Sequence, residues 1–374
     1  MKVALVHDWL IHMRGGEKVL ESFAEVFPDA TIYTLFSNRK RLSPSLQRMK
    51  IKNSVLQYFP GIRNYYPWLL PLLPFFIRTQ RIEPADVVIS SSHCVAKGIK
   101  IPKGTFHICY CHTPMRYLWG FESEYFGKFP PWLLGLLQPI FGWLRRWDVA
   151  TSKNVNHFLC NSETVRDRIQ KIYGREARVI HPPVDAGFFQ PNSTDDKEKK
   201  DFYLVVSALT PYKRVEVAVE AFNNWNRELV IVGDGPSRLA CERRAQTSNI
   251  RFVGKVPDET LRDLYRQARA LIFPQEEDFG IVPLEAQGCG TPVIAYARGG
   301  ALESVKNGIF FEEETPEAIR QAILKFESKK FDSRMLREGV LGFDKPRFKH
   351  KIRQAVQDAL QEKPLVAGLA HLDG

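Results

Sequence analysis

At 374 residues, with 44% hydrophobic and 25% charged residues, the chain is globular in composition and too long for one ordinary core, suiting two domains of roughly 150 to 200 residues. A formal net charge of +11 invites an anionic partner, either nucleic acid or a membrane surface. Six cysteines without short regular spacing exclude a disulfide framework, and the start lacks the apolar run and cleavage site of a signal peptide, so a cytoplasmic location is expected.

The first strand signal, residues 2–7, leads into a turn, residues 8–17, that contains Gly15 and Gly16. Adjacent glycines let backbone approach a phosphate at a positive helix end, although a tight turn alone would also use them. In the helix expected over 17–27, Val19, Leu20, Phe23, Val26 and Phe27 recur at helical spacing. From Arg39 to Lys52 there are six basic residues and no acidic one, followed by an aromatic run through Tyr58, Phe59, Tyr65, Tyr66 and Trp68. A second apolar aromatic stretch covers 132–147. Both are interrupted by proline and fall short of the ~20 apolar residues a spanning helix needs. Basic flanks and tryptophans at the edges fit a segment lying on an anionic membrane surface, with a buried helix pair or a dimer interface as the alternative. Nucleic acid is not expected, because the aromatic residues beside the charge are not spaced as stacking platforms.

Further strand signals in the first half fall at 86–90, 106–111, 156–160 and 178–180. His112 follows one of them and faces an expected interdomain cleft. There it could hydrogen-bond a sugar hydroxyl or serve a structural role. Cys109 and Cys111 alternate within the same strand and lack zinc spacing, and no Asp-x-Asp pair occurs, so no metal is expected. The polar segment 190–201 reads as a linker. A second strand series follows at 202–207, 229–232, 250–253, 270–273, 293–295 and 309–311. Strands alternating with helices give an α/β protein of two Rossmann-like domains, 1–190 and 201–345, with a basic helical tail over about 346–374.

Lys213 and Arg214 stand at the carboxyl end of the first strand of that series and ahead of a helix over 215–222. Cations there can neutralise a leaving diphosphate, or can be a solvated pair. Glycine turns also end strands at Gly233 and Gly235 and at Gly299 and Gly300. Glu277 and Glu285 straddle the start of a helix at a strand's carboxyl end, where open α/β sheets bind ligands. The backbone N–H groups of Phe279, Gly280 and Ile281 lie at that helix start and suit a diphosphate, and each carboxylate can accept from a diol.

Together these segments, with 112–117, Asn161-Ser162 and 181–185, resemble the retaining glycosyltransferases of the GT-B fold. In particular they resemble the mannosyltransferase-like branch of family four that builds bacterial surface polysaccharides. The resemblance runs from Val6 to about Val356. It implies two Rossmann-like domains facing across a cleft, with the C-terminal helix returning to the first, acceptor-binding domain. It assigns Glu285 to the ribose hydroxyls, Glu277 and His112 to the transferred sugar, and Lys213 to the diphosphate. The backbone near Val256 would face the base, and the Gly15-Gly16 loop would close over the phosphates. Members of this family generally carry an arginine five residues before the lysine, where this chain has Ala208, and Arg214 is the candidate replacement. The implied reaction moves mannose from GDP-mannose to a lipid-linked oligosaccharide, with no cofactor or metal, at the inner face of the cell membrane. Alternatives are a UDP-sugar donor, a nucleotide-sugar epimerase or hydrolase, or a sugar-nucleotide-binding protein on the same scaffold.

Overall fold

The computed structural model describes residues 1–120, 122–127, 129–192 and 199–361 as two compact units. The first comprises residues 1–182 and the tail from 346, and the second residues 183–345. Residues 193–198 of the expected linker and 362–374 of the expected tail lie outside the described residues. The division falls at Pro182 and Pro183 rather than at 190, because Phe188 and Phe189 pack into the core of the second unit.

In the first unit, strands β1 (Val3–His7), β2 (Thr31–Thr34), β3 (Lys50–Asn53), β4 (Val87–Ser92), β5 (Phe106–Cys111), β6 (His157–Cys160) and β7 (Ala177–Val179) form one sheet in the order β3-β2-β1-β4-β5-β6-β7. Every neighbouring pair is parallel. Parallel strands covered on both faces are apolar nearly throughout, and β4 and β5 are buried at every position. Alternation splits them between two cores. Leu5, Val87 and Ile89 face the helix Gly15–Val26, while Ala4, Val6 and Val88 face the segment that follows β3 and the helix Pro131–Ser152. The tail helix Lys345–Gln361 joins the first of these cores through Phe348, Ile352, Ala355, Val356 and Ala359, so it is an integral layer of this unit.

The stretch expected to be interrupted by proline at 132–147 is instead one helix of 22 residues that runs through Pro139. No helix among the described residues is long and apolar enough to cross a membrane. This helix is pinned by a buried charge pair. Asp148, fully enclosed, meets Lys97, accepts from Trp119 Nε1 at 2.9 Å and from Tyr173 Oη at 2.8 Å, and Lys97 also reaches Thr151 at 3.1 Å. Removing one member of a buried pair strands the other charge and costs about 3–5 kcal/mol, whereas replacing both by apolar groups of similar volume is often neutral. Asp148→Ala is therefore expected to lower the denaturant midpoint strongly, and Asp148→Leu combined with Lys97→Met to recover only the part owed to the stranded ammonium, because Trp119 Nε1 and Tyr173 Oη still lose their acceptor. A denaturation series on the three proteins checks this.

In the second unit, β8 (Phe202–Val206), β9 (Glu228–Val232), β10 (Ile250–Gly254), β11 (Ala270–Phe273), β12 (Val293–Tyr296) and β13 (Ile309–Phe311) form a parallel sheet in the order β10-β9-β8-β11-β12-β13. The order reverses direction between β8 and β11, and the loops at the carboxyl ends of those two strands carry Lys213 and Glu277. Ligands bind open α/β sheets at such a switch point.

Candidate active site

In the second unit β8 ends at Val206, and a single helical turn, Pro211–Lys213, delivers Lys213. β11 ends at Phe273, four residues ahead of Glu277. The Lys213 ammonium and the Glu277 carboxylate form an ion pair, both side chains largely shielded, at 12% and 20% exposure. Gln275 Nε2 donates to the same Glu277 oxygen at 3.0 Å, and the Tyr212 ring lies 5.0 Å from the ammonium. Two polar atoms in these loops, Gln275 Oε1 and Thr210 Oγ1, are buried and have no partner among the described residues. Buried polar atoms normally find partners, so the two in these loops suit a polar ligand or ordered water.

The glycine turns serve these loops from behind. A Cβ on Gly233 would overlap the Ser207 carbonyl oxygen, and one on Gly235 the Leu209 carbonyl, so β9's turn presses flat against the segment that presents Lys213. Likewise a Cβ on Gly299 would overlap the Glu277 carbonyl and one on Gly300 the Phe279 backbone. Gly300 N donates to Glu277 O at 2.8 Å. Close backbone packing between loops is thus the use made of these four glycines, rather than open approach to a phosphate.

Gly280, at φ +89°, starts the helix Ile281–Gly288. The Phe279 side chain is core, packed on Phe343 with ring centroids 5.7 Å apart. Glu285 sits within that helix, 4% exposed, and accepts from Tyr265 Oη at 3.0 Å. Val256 is half-buried against the second unit's core. Arg214 takes the left-handed conformation at φ 50° and pairs through Nε with Glu314 at 3.3 Å. Lys213 and Glu277 are therefore brought into contact, whereas Arg214, the candidate replacement for the arginine absent at Ala208, pairs with Glu314.

In the first unit Gly15 and Gly16 open the helix Gly15–Val26, and the Glu17 carboxylate accepts from Arg14 N at 3.1 Å. A Cβ on Gly16 would lie 3.5 Å from His7 and 3.7 Å from His112. His112 Nε2 bonds Ser91 Oγ at 2.8 Å, and Ser91 Oγ reaches His7 Nδ1 at 3.1 Å. Burial, followed by the nearby His7 and His93, lowers the His112 pKa to about 3. Burial likewise lowers that of His7 to about 4, so both rings are neutral. His7 Nε2 is buried without a partner among the described residues.

Asp8 accepts backbone N–H groups from His93, Cys94, Val95 and Ala96 at 2.6–3.1 Å and lies 3.0 Å from His93 Nδ1. Burial works against the Asp8 charge, but His93 outweighs it and holds the carboxyl below its ordinary range. Burial works against the His93 cation in the same way, yet Asp8 raises its pKa. His7, Asp8, Ser91 and His93 did not stand out in the sequence. Their signal is polar residues at the carboxyl ends of two apolar strands, in His7-Asp8 and in Ser90-Ser91-Ser92-His93. No three His, Cys, Asp or Glu side chains among the described residues form a metal-holding group.

Residues 13–188 match the family model "Glycosyltransferase Family 4", and residues 188–339 match "Glycosyl transferases group 1". The chain belongs to the GT-B glycosyltransferases. The O-antigen chain mannosyltransferase RfbU of Salmonella typhimurium is 27% identical to this glycosyltransferase over 46% of the chain and 51% of that protein. D-rhamnosyltransferase WbpZ of Pseudomonas aeruginosa is 28% identical over 51% of the chain and 53% of that protein. The chain spans about half the length of the curated relatives it matches. Among solved structures, sucrose-phosphate synthase of Thermosynechococcus elongatus shares the fold with a TM-score of 0.73 at 16% identity, covering 96% of this chain and 99% of that one. Anabaena HepE, solved in complex with UDP, shares it with a TM-score of 0.68 at 16% identity, covering 96% and 100%.

Proposed function

We propose that this glycosyltransferase moves a hexosyl group, mannose from GDP-mannose, to a hydroxyl of a lipid-linked oligosaccharide, with retention at the anomeric carbon. The observation that carries the reading is the Lys213–Glu277 pair at the sheet's switch point, flanked by the orphaned Gln275 Oε1 and Thr210 Oγ1. A sugar diphosphate brings anionic oxygens that share Lys213 with Glu277, and hydroxyls that donate to the orphaned Gln275 Oε1. As the glycosidic bond to phosphate breaks, negative charge grows on the diphosphate and Lys213 stabilises it. The leaving diphosphate takes the acceptor's proton on the same face, so no second carboxylate is required. His112, neutral and with Nε2 engaged by Ser91, offers Nδ1 to a sugar hydroxyl, and Glu285 takes the ribose hydroxyls. No protein-bound metal takes part. RfbU and WbpZ, whose names give a mannosyl and a rhamnosyl activity, support a hexose donor in polysaccharide assembly. The cationic and aromatic surface after β2 supports peripheral attachment to the cytoplasmic face of an anionic membrane.

A thermal-shift screen against GDP, UDP, ADP and their sugar conjugates tests the donor, since a ligand at 100 times its Kd adds about 2.7 kcal/mol to the native state. The largest rise is expected with GDP-mannose. A larger one with UDP-glucose replaces the base and sugar assigned here, and no rise with any sugar nucleotide removes the function. Glu285→Ala confounds this screen, because it also strands the Tyr265 hydroxyl at a cost of about 1–3 kcal/mol. Glu285→Gln keeps an acceptor for Tyr265 and is expected to weaken nucleotide affinity while leaving the ligand-free melting temperature nearly unchanged. Titration calorimetry checks the affinity.

A further inference from the structure

A cavity of about 210 Å³ opens in the first unit, lined mainly by Trp9, Tyr66, Trp68, Leu73, Phe126 and Phe129. Its rim is an aromatic pair: Trp68, 69% exposed, stacks on Phe129 with centroids 5.6 Å apart and planes 8° from parallel. Around it Tyr58, Tyr65, Leu72 and Phe75 are each more than half exposed. Water-facing aromatic surface of this extent marks a contact site for something apolar. An engineered apolar cavity of ~150 Å³ accepts a benzene-sized guest, so this one has room for a short run of hydrocarbon.

The charge beside it identifies the chemistry of the guest. From residue 30 to residue 82 the sequence holds nine lysines and arginines and no aspartate or glutamate. Four of them, Arg39, Lys40, Arg41 and Arg63, surround a second hollow together with Ser37 and Asn38. Arg39 spends one donor on Met49 O and Arg63 one on Ser37 O, which leaves each guanidinium further N–H groups. Lys40 and Arg41 have no carboxylate partner among the described residues. Buried Phe36 links the linings of the two hollows. Phe36 packs on Tyr66 of the aromatic cavity at 5.5 Å while the next residue, Ser37, lines the cationic one, and Arg63 and Tyr66 are three residues apart. A hydrocarbon seat adjoining a carboxylate-free cluster of guanidinium and ammonium groups complements one amphiphile, a phosphate-bearing lipid.

We propose that the aromatic cavity seats the chain of such a lipid and that Arg39, Lys40, Arg41 and Arg63 hold its phosphate. That this lipid is the acceptor's anchor rests on the proposed function, whereas the binding itself does not. The test uses the whole chain and farnesyl phosphate bearing a photoreactive group at its apolar end. Label is expected in the peptides that contain Tyr66, Trp68, Phe126 and Phe129, suppressed by excess farnesyl phosphate and untouched by inorganic phosphate. Trp68→Ala with Phe129→Ala, and separately Arg39→Gln with Arg41→Gln and Arg63→Gln, are each expected to weaken binding at least about tenfold. Melting temperatures confirm that both variants remain folded, and Trp68→Phe is expected to restore labelling. Label spread over the other exposed aromatics, competition by inorganic phosphate, or indifference to both sets of substitutions overturns the proposal. The nucleotide thermal shift is read on the same proteins: a retained shift with failed labelling sinks the lipid site alone, and labelling without any shift sinks the transferase reading alone.

Discussion

Lowering the pH from 6.5 to 4 is expected to unfold the first unit. His7 and His107 are fully enclosed, and burial lowers both to about 4, while His112 falls to about 3. In the unfolded chain each binds a proton near pH 6.5, so between 6.5 and the folded value the unfolded state holds more protons and stability declines as pH falls. At ~1.4 kcal/mol per pH unit, His7 and His107 each remove roughly 3 kcal/mol by pH 4, a large part of the 5–15 kcal/mol a domain has to lose. His93 works in the opposite direction. Its raised pKa contributes stability that is complete below 6.5 and lost as pH rises through the folded value. Asp8, held low, contributes nothing to the change until the pH approaches 3.8. Three rings against one leave acid lability as the net result. Melting curves at half-unit intervals of pH check it, and His107→Gln, which retains an acceptor for Ser90, should flatten the decline. A melting temperature constant from 6.5 to 4 would contradict the neutral, buried state of these rings.

The two-unit architecture was legible because buried parallel strands announce themselves as apolar runs, and all six strands of the second sheet stood out in that way. β2 and β3 did not. Thr31-Ile32-Tyr33-Thr34 is too short to show a period, and Lys50-Ile51-Lys52-Asn53 is an edge strand whose lysines face outward, so only its pairing with β2 defines it. The helix through Pro139 was hidden for a different reason: proline argues for a break, and only packing of Phe141 and Leu144 into the core carries the helix across it. At the site, the Lys213–Glu277 contact joins residues 64 positions apart, and the sequence shows the strand-end placement of each residue but not their pairing. Arg214 could not be read in the same way. Its side-chain direction depends on a left-handed backbone and on Glu314, neither of which local sequence encodes. The glycine turns at Gly233, Gly235, Gly299 and Gly300 are visible in the sequence but their use is not, because a glycine that admits a ligand and one that admits a neighbouring loop look alike until the neighbour is seen.

Lys213→Ala is expected to lower turnover by about 10²–10³, the cost of losing one preorganised donor at a site where charge develops. The ion pair makes the experiment more informative than a simple deletion. In the free protein Lys213 is already neutralised by Glu277, so binding of a diphosphate must divide the ammonium between two anions. Removing Lys213 leaves Glu277 the Gln275 amide, a partial replacement, whereas Glu277→Gln leaves Lys213 beside the Tyr212 ring and a neutral amide. Glu277→Gln should therefore tighten binding of the bare nucleoside diphosphate, since its competitor for the ammonium has gone, while lowering transfer because the sugar loses an acceptor. Lys213→Ala should weaken the same ligand. Opposite signs for diphosphate affinity in the two variants, with turnover reduced in both, would place the pair on the donor and show that its members compete. If both variants bound the diphosphate as the parent does and transferred at near-parent rates, Lys213 and Glu277 would be a structural clasp between two loops, and the donor would lie elsewhere.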